Sequence, residues 1–245
     1  MVGRMPVPLP GPGLDLRRLS SKAPPRPGPA CHDPPVPAAD HAPALAALAA
    51  ADPVLAGLID RHGPPPPRRP VPVARRFGHL ARAVVYQQLA GRAAAAIHAR
   101  VVEAVGGEVT PAAVLATPEP VLRASGLSGA KAASLLDLAA RVEDGTVPMA
   151  RLGRWSDDEV VAALTVVRGI GPWTAQMFLM NALSRPDVWP TGDYGVRAGF
   201  ARAWGLAELP TPAALGASGE PFRPHRSLVA WYCWRAADER TAPAG

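Results

Sequence analysis

The sequence predicts an all-α protein, because apolar residues recur with a period near 3.6 and helix-capping residues separate the segments. Alternating patterns typical of strands are scarce along the 245 residues. A proline-rich stretch precedes the helical part, since residues 1–72 hold 19 of the 31 Pro. Proline blocks helix formation and removes backbone donors, so we predict a disordered tail over residues 1–39 and one folded domain over residues 40–240.

Arginine supplies almost all of the positive charge. The chain carries 24 Arg and 2 Lys against 20 acidic residues, which gives a formal net charge of +6 and a pI near 10.1. Such a balance suits a polyanionic partner, although basicity alone does not identify one. The 2 Cys, Cys31 and Cys233, exclude a disulfide framework, a four-thiolate zinc site and a four-Cys iron–sulfur cluster.

The distribution of apolar residues also bears on location. Hydrophobic residues make up 48% of the chain, enough for a sizeable core, yet no uninterrupted apolar run of about 18 residues occurs. The sequence therefore predicts no membrane span. The N-terminus lacks a clean apolar core followed by a cleavage site, so we expect a cytoplasmic protein.

Each predicted helix has a recognisable beginning. Thr110 and Thr117 each precede a proline, which predicts a hydroxyl N-cap and a helix that starts at the proline. Ser156 to Glu159 forms a capping box that opens a further helix. The other segments of helical period cover residues 45–59, 77–105, 135–142, 160–167, 172–183, 194–204, 211–217 and 226–237.

The turn Gly169-Ile170-Gly171 is the most informative stretch of the chain. A helix is predicted to stop at Arg168, and Pro172 is predicted to start the next one. Glycine permits positive φ and lets the backbone approach a ligand closely. The unpaired N–H groups of the new helix start lie at the positive end of its dipole, which makes an anion site.

This turn has four competing interpretations. A P-loop needs a Lys after the glycines, and a dinucleotide fingerprint needs a third Gly where this chain has Thr174, so both are rejected. An ordinary corner between two helices remains open. A helix-hairpin-helix, in which the glycine turn grips a DNA backbone phosphate without reading sequence, also remains open.

Neighbouring motifs favour the last interpretation. The turn is followed by Trp173-Thr174-Ala175 and then by Gly192-Asp193-Tyr194-Gly195, with further matching stretches at residues 80–89, 126–132 and 223–231. Together these motifs resemble the helix-hairpin-helix (HhH-GPD) DNA glycosylase superfamily, over about residues 40–237. Within it the chain is most similar to the branch of 3-methyladenine DNA glycosylase II.

The resemblance implies a two-lobed helical fold with DNA in the cleft between the lobes. It implies a monomeric base excision repair enzyme that acts on double-stranded DNA, flips out alkylated purines such as 3-methyladenine or 7-methylguanine, and hydrolyses the N-glycosidic bond. Members that also cleave the strand carry a Lys where this chain has Trp173, so we expect a monofunctional glycosylase without lyase activity. A glycosylase for oxidised or deaminated bases, and a non-catalytic DNA-binding module, remain alternatives.

The same resemblance assigns the site residues. It makes Asp193 the catalytic carboxylate, and it forms the base pocket from Trp173, Trp231 and Tyr194. Asp193 is also placed to cap the helix that follows, and one carboxylate can serve both purposes. Trp231 in an apolar helix is equally compatible with a plain core residue.

DNA contacts are expected from the hairpin and from a loop that fills the gap left by the flipped base. The assigned residues are Gly169, Gly171 and Thr174 in the hairpin, and Gln88 or the adjacent Leu89 in the wedge loop. The resemblance also implies a structural Na⁺ or K⁺ held by the main-chain carbonyls of Thr165, Val167 and Ile170. No other cofactor is expected. The cysteines that would hold an iron–sulfur cluster are missing, and the 6 His lack the spacing of ligands to a catalytic metal.

Overall fold

The computed structural model describes residues 41–89 and 91–239, and this part of the chain contains helices and no strand. The all-α prediction is therefore confirmed, whereas the predicted tail over residues 1–39 lies outside the described residues. No helix in the described ranges is long and apolar enough to cross a membrane. The helices are α1 (Ala42–Ala51), α2 (Pro53–His62), α3 (Val73–Tyr86), α4 (Gly91–Ala104), α5 (Pro111–Ala116), α6 (Glu119–Ala124), α7 (Gly129–Glu143), α8 (Asp157–Thr165), α9 (Pro172–Asn181), α10 (Tyr194–Ala203), α11 (Pro212–Ser218) and α12 (Arg226–Asp238).

The helices pack in two groups, as the two-lobed prediction requires. Helix α3 contacts α4, α7 and α9, α7 also contacts α5 and α6, and α8 packs on α9. Helix α12 packs on α10 and on α2, which in turn packs on α1. Both chain ends of the described region therefore contribute to one lobe. Buried leucines, valines and alanines form a continuous core through both groups, and removing this apolar surface from water is the main stabilising term.

The first predicted helical segment is two helices because Asp52 interrupts it. The Oδ1 atom of Asp52 accepts the backbone N–H groups of Val54 and Leu55 at 2.8 and 3.0 Å, and Pro53 occupies the first position of α2. This arrangement caps α2. The other carboxylate oxygen of Asp52 accepts the indole N–H of Trp204 at 3.1 Å, so the cap also fixes α2 against the end of α10.

The predicted segment 77–105 is likewise divided, into α3 and α4. Lys131 of α7 causes the division by donating from Nζ to the carbonyl oxygens of Val85 and Gln87, at 2.8 and 2.6 Å. These carbonyls at the end of α3 are thereby satisfied without further helix. The period of the apolar residues continues across the break, which is why the sequence pattern alone did not reveal it.

One of the two threonine caps predicted from the sequence is wrong. Thr110 caps α5 as expected and accepts the backbone N–H of Ala113 at 3.2 Å. Thr117 instead donates its hydroxyl to the carbonyl oxygen of Ala113 at 2.8 Å, and α6 begins at Glu119 after Pro118. A hydroxyl one turn beyond a free carbonyl can satisfy that carbonyl instead of capping the next helix.

Candidate functional site

The glycine turn joins α8 to α9 and rests on α7. Ser156 and Glu159 form the predicted capping box at the start of α8, which fixes the approach to the turn. Gly169 adopts φ +76°, and a side chain there would collide with the hydroxyl of Ser134 on α7. Two features therefore require glycine at position 169: the positive φ angle, and the close approach of Ser134, which leaves no room for a Cβ atom.

A carboxylate on α7 holds the turn from the other side. Asp137 Oδ2 accepts the backbone N–H of Arg168 at 2.7 Å and the guanidinium of Arg141 at 3.0 Å. Burial opposes the ionised form, yet the N–H of Arg168 and the charge of Arg141 outweigh it and lower the pKa of Asp137. The carboxylate is therefore ionised at neutral pH and secures the turn to α7.

Gly171 differs from Gly169 because it faces open space. A Cβ atom on Gly171 would have no heavy atom of the described residues within 4 Å beyond its chain neighbours. Helix α9 begins at Pro172, and its first internal bond runs from Ala175 N–H to Gly171 O at 3.1 Å. The N–H groups before Ala175 remain at the helix end as donors, which is the arrangement of an anion site.

The turn between α3 and α4 lies beside the hairpin. Gln87 Nε2 donates to the carbonyl oxygen of Gly169 and to the hydroxyl oxygen of Thr174, both at 3.1 Å. Thr174 is itself buried, and its hydroxyl is engaged by Gln87 within the hairpin. The next residue, Gln88, is exposed with φ +55°, and the side chain of Leu89 is partly exposed. A non-glycine residue in this conformation is uncommon, and here the neighbouring bonds maintain it.

Asp193 lies at the beginning of α10 and accepts three N–H groups. Its Oδ1 atom accepts the backbone N–H of Val196 at 2.7 Å and the indole N–H of Trp234 at 2.9 Å. Its Oδ2 atom accepts the indole N–H of Trp173 at 2.7 Å. The carboxylate is thus the helix cap that the sequence predicted, and it is also oriented by two tryptophans from α9 and α12.

Two glycines allow α12 to bring Trp234 to this carboxylate. A side chain on Gly199 would overlap the backbone of Cys233, and one on Gly195 would lie 2.9 Å from the ring of Trp234. Without Cβ atoms at these positions α10 and α12 approach closely, and Trp234 reaches Asp193. Burial, followed by the negative charge of Asp193, raises the pKa of the Cys233 thiol. The thiol therefore stays protonated and is no nucleophile.

Trp231 is not among the donors to this carboxylate, and its predicted place in the base pocket stays a prediction. It lines a separate cavity with residues of α1, α9 and the loop before α3, and its neighbour along the helix face, Trp234, donates to Asp193 instead. Sequence reasoning missed Trp234. The signal that could have found it was the second tryptophan one turn further along α12, on nearly the same side of the helix.

The aromatic residues predicted to bind a base differ in exposure. Trp173 is 44% exposed although its indole N–H is bonded to Asp193, and Tyr194 is 72% exposed beside the same carboxylate. The site therefore combines a fixed carboxylate with two accessible ring faces.

The predicted monovalent cation depends on main-chain carbonyls of the hairpin. Val167 O already accepts the N–H of Ile170 at 3.1 Å, and a carbonyl has a second lone pair available. The cation therefore stays a prediction. In the described ranges no cluster of three or more His, Cys, Asp or Glu side chains is arranged to hold a metal ion.

Comparison with known proteins identifies the class to which this arrangement belongs. The family of HhH-GPD superfamily base excision DNA repair proteins matches residues 81–224, a span that includes the hairpin and Asp193. The chain therefore belongs to the HhH-GPD superfamily of base excision DNA repair proteins. The resemblance inferred from the hairpin motifs is confirmed.

Individual relatives narrow the likeness further. DNA-3-methyladenine glycosylase 1 of Schizosaccharomyces pombe is 33% identical over 174 residues, which cover 70% of this chain and 76% of the relative. DNA-3-methyladenine glycosylase 2 of Escherichia coli is 28% identical, over 64% of this chain and 56% of that protein. A solved structure of the S. pombe enzyme in complex with abasic DNA superposes with a TM-score of 0.72 at 32% identity, covering 79% of this chain and 95% of that one.

Proposed function

We propose that this protein is a monofunctional DNA glycosylase that releases alkylated purines, of the 3-methyladenine and 7-methylguanine type, from double-stranded DNA. The observation that carries the proposal is Asp193, whose two carboxylate oxygens are fixed by the indole N–H groups of Trp173 and Trp234. An oriented carboxylate between accessible aromatic rings is what this hydrolysis requires. The names of the relatives support the same substrate class.

The chemistry asks for electrostatic stabilisation more than for proton transfer. An N-alkylated purine is already cationic and leaves readily, so cleavage of the glycosidic bond develops positive charge on the sugar. The Asp193 carboxylate stabilises that charge and can orient the attacking water, as carboxylates do in glycoside hydrolysis. Because its donors hold it in place before the reaction, little reorganisation is needed as the charge develops.

Recognition of the flipped base rests on the aromatic faces. Trp173 and Tyr194 present exposed rings next to the carboxylate, and a ring face attracts a cationic base more than a neutral one, by about 1–2 kcal/mol. Flipping costs a few kcal/mol and is cheapest for damaged pairs. Alkylated purines are therefore favoured twice, by easier extrusion and by their charge. We assign the second tryptophan of the site to Trp234 instead of Trp231.

The absence of lyase activity follows from the position of the lysines. Trp173 occupies the place at which the strand-cleaving members carry their Schiff-base lysine. Lys131 directs its Nζ to the carbonyls of Val85 and Gln87 and not to Asp193, while Lys22 lies outside the described residues. No amine of the described ranges is placed to attack the sugar.

DNA binding is proposed for the face that carries the two turns. The N–H groups at the start of α9, beside Gly171, would bind a backbone phosphate. Gly169 and the backbone of Thr174 would support this contact. A monovalent cation on the carbonyls of Thr165, Val167 and Ile170 would add to it. Gln88 would enter the gap left by the flipped base, with Leu89 beside it. Both side chains are exposed, and the left-handed backbone of Gln88 and its attachment to the hairpin through Gln87 support Gln88 over Leu89.

Base release from defined duplexes tests the proposal. Duplexes that contain methylated purines, hypoxanthine or 8-oxoguanine should be incubated with the enzyme, and free base and strand breaks measured separately. We expect free methylated base, an intact abasic strand and no adduct after borohydride reduction. Release of 8-oxoguanine alone would favour a glycosylase for oxidised bases, and binding without release of any base would favour a non-catalytic module.

A further inference from the structure

A second cavity lies at the opposite end of α9 from Asp193. It has a volume of about 210 Å³, and its lining includes Arg68, Arg185, Ser184, Met180 and Trp231. Met180 lies seven residues beyond Trp173 on α9, roughly 10 Å along the helix axis. None of the residues that bond Asp193 lines this cavity. It is a separate site.

The charge in this cavity is positive and incompletely balanced. Among the described residues that line it there is no Asp or Glu. Arg185 is neutralised, since its guanidinium pairs with Asp157 at 3.5 Å and donates to the carbonyl of Trp155 at 2.7 Å. Arg68 is not, because within the described ranges its one bond goes from Nη1 to the amide oxygen of Asn181 at 3.0 Å.

Arg68 is therefore a half-buried guanidinium without a carboxylate partner in the described part of the chain. Burial lowers the pKa of this arginine, although it stays protonated at neutral pH. A charge withdrawn from water is costly unless an opposite charge or enough acceptors compensate for it. Arg68 uses one of its five N–H donors on the described residues, so the others can bind an acceptor in the cavity.

Ser184, on the wall of the same cavity, has a hydroxyl group that forms no hydrogen bond with the described residues. Its hydroxyl oxygen is buried and has no hydrogen-bond partner among the described residues, and its backbone adopts φ +54°. Both features are uncommon for a serine and together they cost free energy. Two histidines, His41 and His225, add further polar groups to the wall, and the described residues supply no carboxylate there.

The remaining wall is apolar and includes an aromatic ring. Trp231, Leu228 and Met180 line the cavity, with Pro65 and Pro186 completing it. An inorganic ion would leave this surface unmatched, whereas a purely apolar ligand would leave Arg68 without a counter-charge. A cavity below the usual volume range for drug-sized ligands fits a molecule with one ring or a short aliphatic body.

We infer that this cavity binds a small organic anion, a carboxylate or phosphate monoester with an apolar body, whose charged group pairs with Arg68 and whose body lies against Trp231. The inference does not depend on glycosylase activity. Because the cavity and Asp193 lie at different ends of α9, either assignment can fail without the other.

Calorimetric titration of the full-length protein tests the inference. Phenyl phosphate and benzoate should bind saturably, whereas benzyl alcohol, which keeps the ring and lacks the charge, should not. Inorganic phosphate should bind more weakly than phenyl phosphate by about tenfold, the factor expected when the apolar contact of roughly 1.4 kcal/mol is lost. Equal affinity for both phosphates, or no saturable binding of either aromatic anion, would overturn the inference.

Three variants locate the binding. Arg68→Gln should weaken phenyl phosphate about tenfold, while Arg69→Gln, an exposed neighbour with the same charge change, should leave affinity unchanged. Ser184→Gly removes the hydroxyl and tolerates positive φ, so it should weaken binding severalfold without loss of thermal stability. Wild-type affinity in both Arg68→Gln and Ser184→Gly would show that the anion binds elsewhere.

A further experiment asks whether the bound anion is a free small molecule or a phosphate of DNA. An undamaged duplex is titrated into the protein saturated with phenyl phosphate, and the released ligand is followed by NMR. We expect no displacement, because the inferred ligand is a free small molecule. Stoichiometric displacement would overturn that part of the inference and assign Arg68 to a DNA phosphate. Base release from methylated duplex should be the same in Arg68→Gln and wild type.

Discussion

The carboxylate site and the two exposed turns meet opposite requirements. At Asp193 every carboxylate oxygen is bonded, and the donors come from helices that glycine allows to pack closely. At Gly171 and Gln88 the backbone is presented outward, and donors or side chains are left without partners in the described chain. The carboxylate is therefore already fixed in position, whereas the groups at the two turns can still form bonds with a ligand.

The difference matches the two roles proposed for these regions, catalysis for the carboxylate and DNA binding for the turns. A group that stabilises developing charge works best when its position is already fixed, whereas a group that binds a phosphate must still have hydrogen-bond capacity to offer. Changes at the carboxylate should therefore alter the rate of base release, and changes at the turns should alter DNA affinity. Five substitutions, taken in order of expected effect, test whether the two regions differ in this way.

Asp193→Asn should give the largest effect. The substitution keeps the side-chain volume and removes the negative charge opposite the developing cation, so the single-turnover rate should fall on the order of 100-fold or more. Affinity for damaged duplex should stay near that of wild type. A rate within tenfold of wild type would rule out the catalytic assignment, and circular dichroism checks that α10 keeps its cap.

Gly171→Asp should weaken binding to damaged and undamaged duplexes alike, on the order of tenfold, because it adds charge beside the phosphate site. Losing one phosphate contact should also reduce the log–log slope of affinity against salt by roughly one unit. Ala162→Asp, on the exposed face of α8, serves as the charge control. An unchanged salt slope would indicate that the turn makes no phosphate contact.

Gly169→Asp distinguishes the two glycines of the hairpin. Positive φ and the contact with Ser134 make any side chain at Gly169 costly to the fold, by about 1–3 kcal/mol, whereas Gly171 has space. Thermal unfolding should therefore show a lower midpoint for Gly169→Asp than for Gly171→Asp. Equal midpoints would contradict the different roles assigned to the two positions.

Trp234→Phe should reduce the rate of base release about fivefold, since it removes one indole N–H from Asp193 while Val196 N–H remains, a net loss of roughly 1 kcal/mol. Trp231→Phe is the matched control on the same helix and should leave the rate unchanged. A larger rate loss for Trp231→Phe than for Trp234→Phe would restore the sequence-based assignment. Affinity for DNA, measured in parallel, should change in neither variant.

Lys131→Met should have the smallest effect, about a threefold loss in damaged-base extrusion measured with a fluorescent base analogue. The change frees the carbonyls of Val85 and Gln87, which fix the turn that carries Gln88. Lys131→Arg, which retains donors at this position, should recover most of the loss. Identical extrusion in Lys131→Met and wild type would show that the turn is held by Gln87 alone.

Three features could be predicted from the amino-acid sequence alone: the helical class, the glycine turn before Pro172 and the capping position of Asp193. These features depend on local rules: helical period, the freedom of glycine, and short polar side chains before a helix. The break after α3 was not local, because its cause is Lys131, more than forty residues away. The apolar period continued through it.

The bond between Trp234 and Asp193 belongs to the tertiary structure, and the sequence did not predict it. Residues three apart on a helix project within roughly 60° of each other, so the sequence presents both rings on nearly one side of α12. Gly195 and Gly199 let α10 approach this helix where Trp234 can reach Asp193, which leaves Trp231 to the other cavity. Helix-to-helix approach depends on the shapes of both surfaces, and no single segment encodes it.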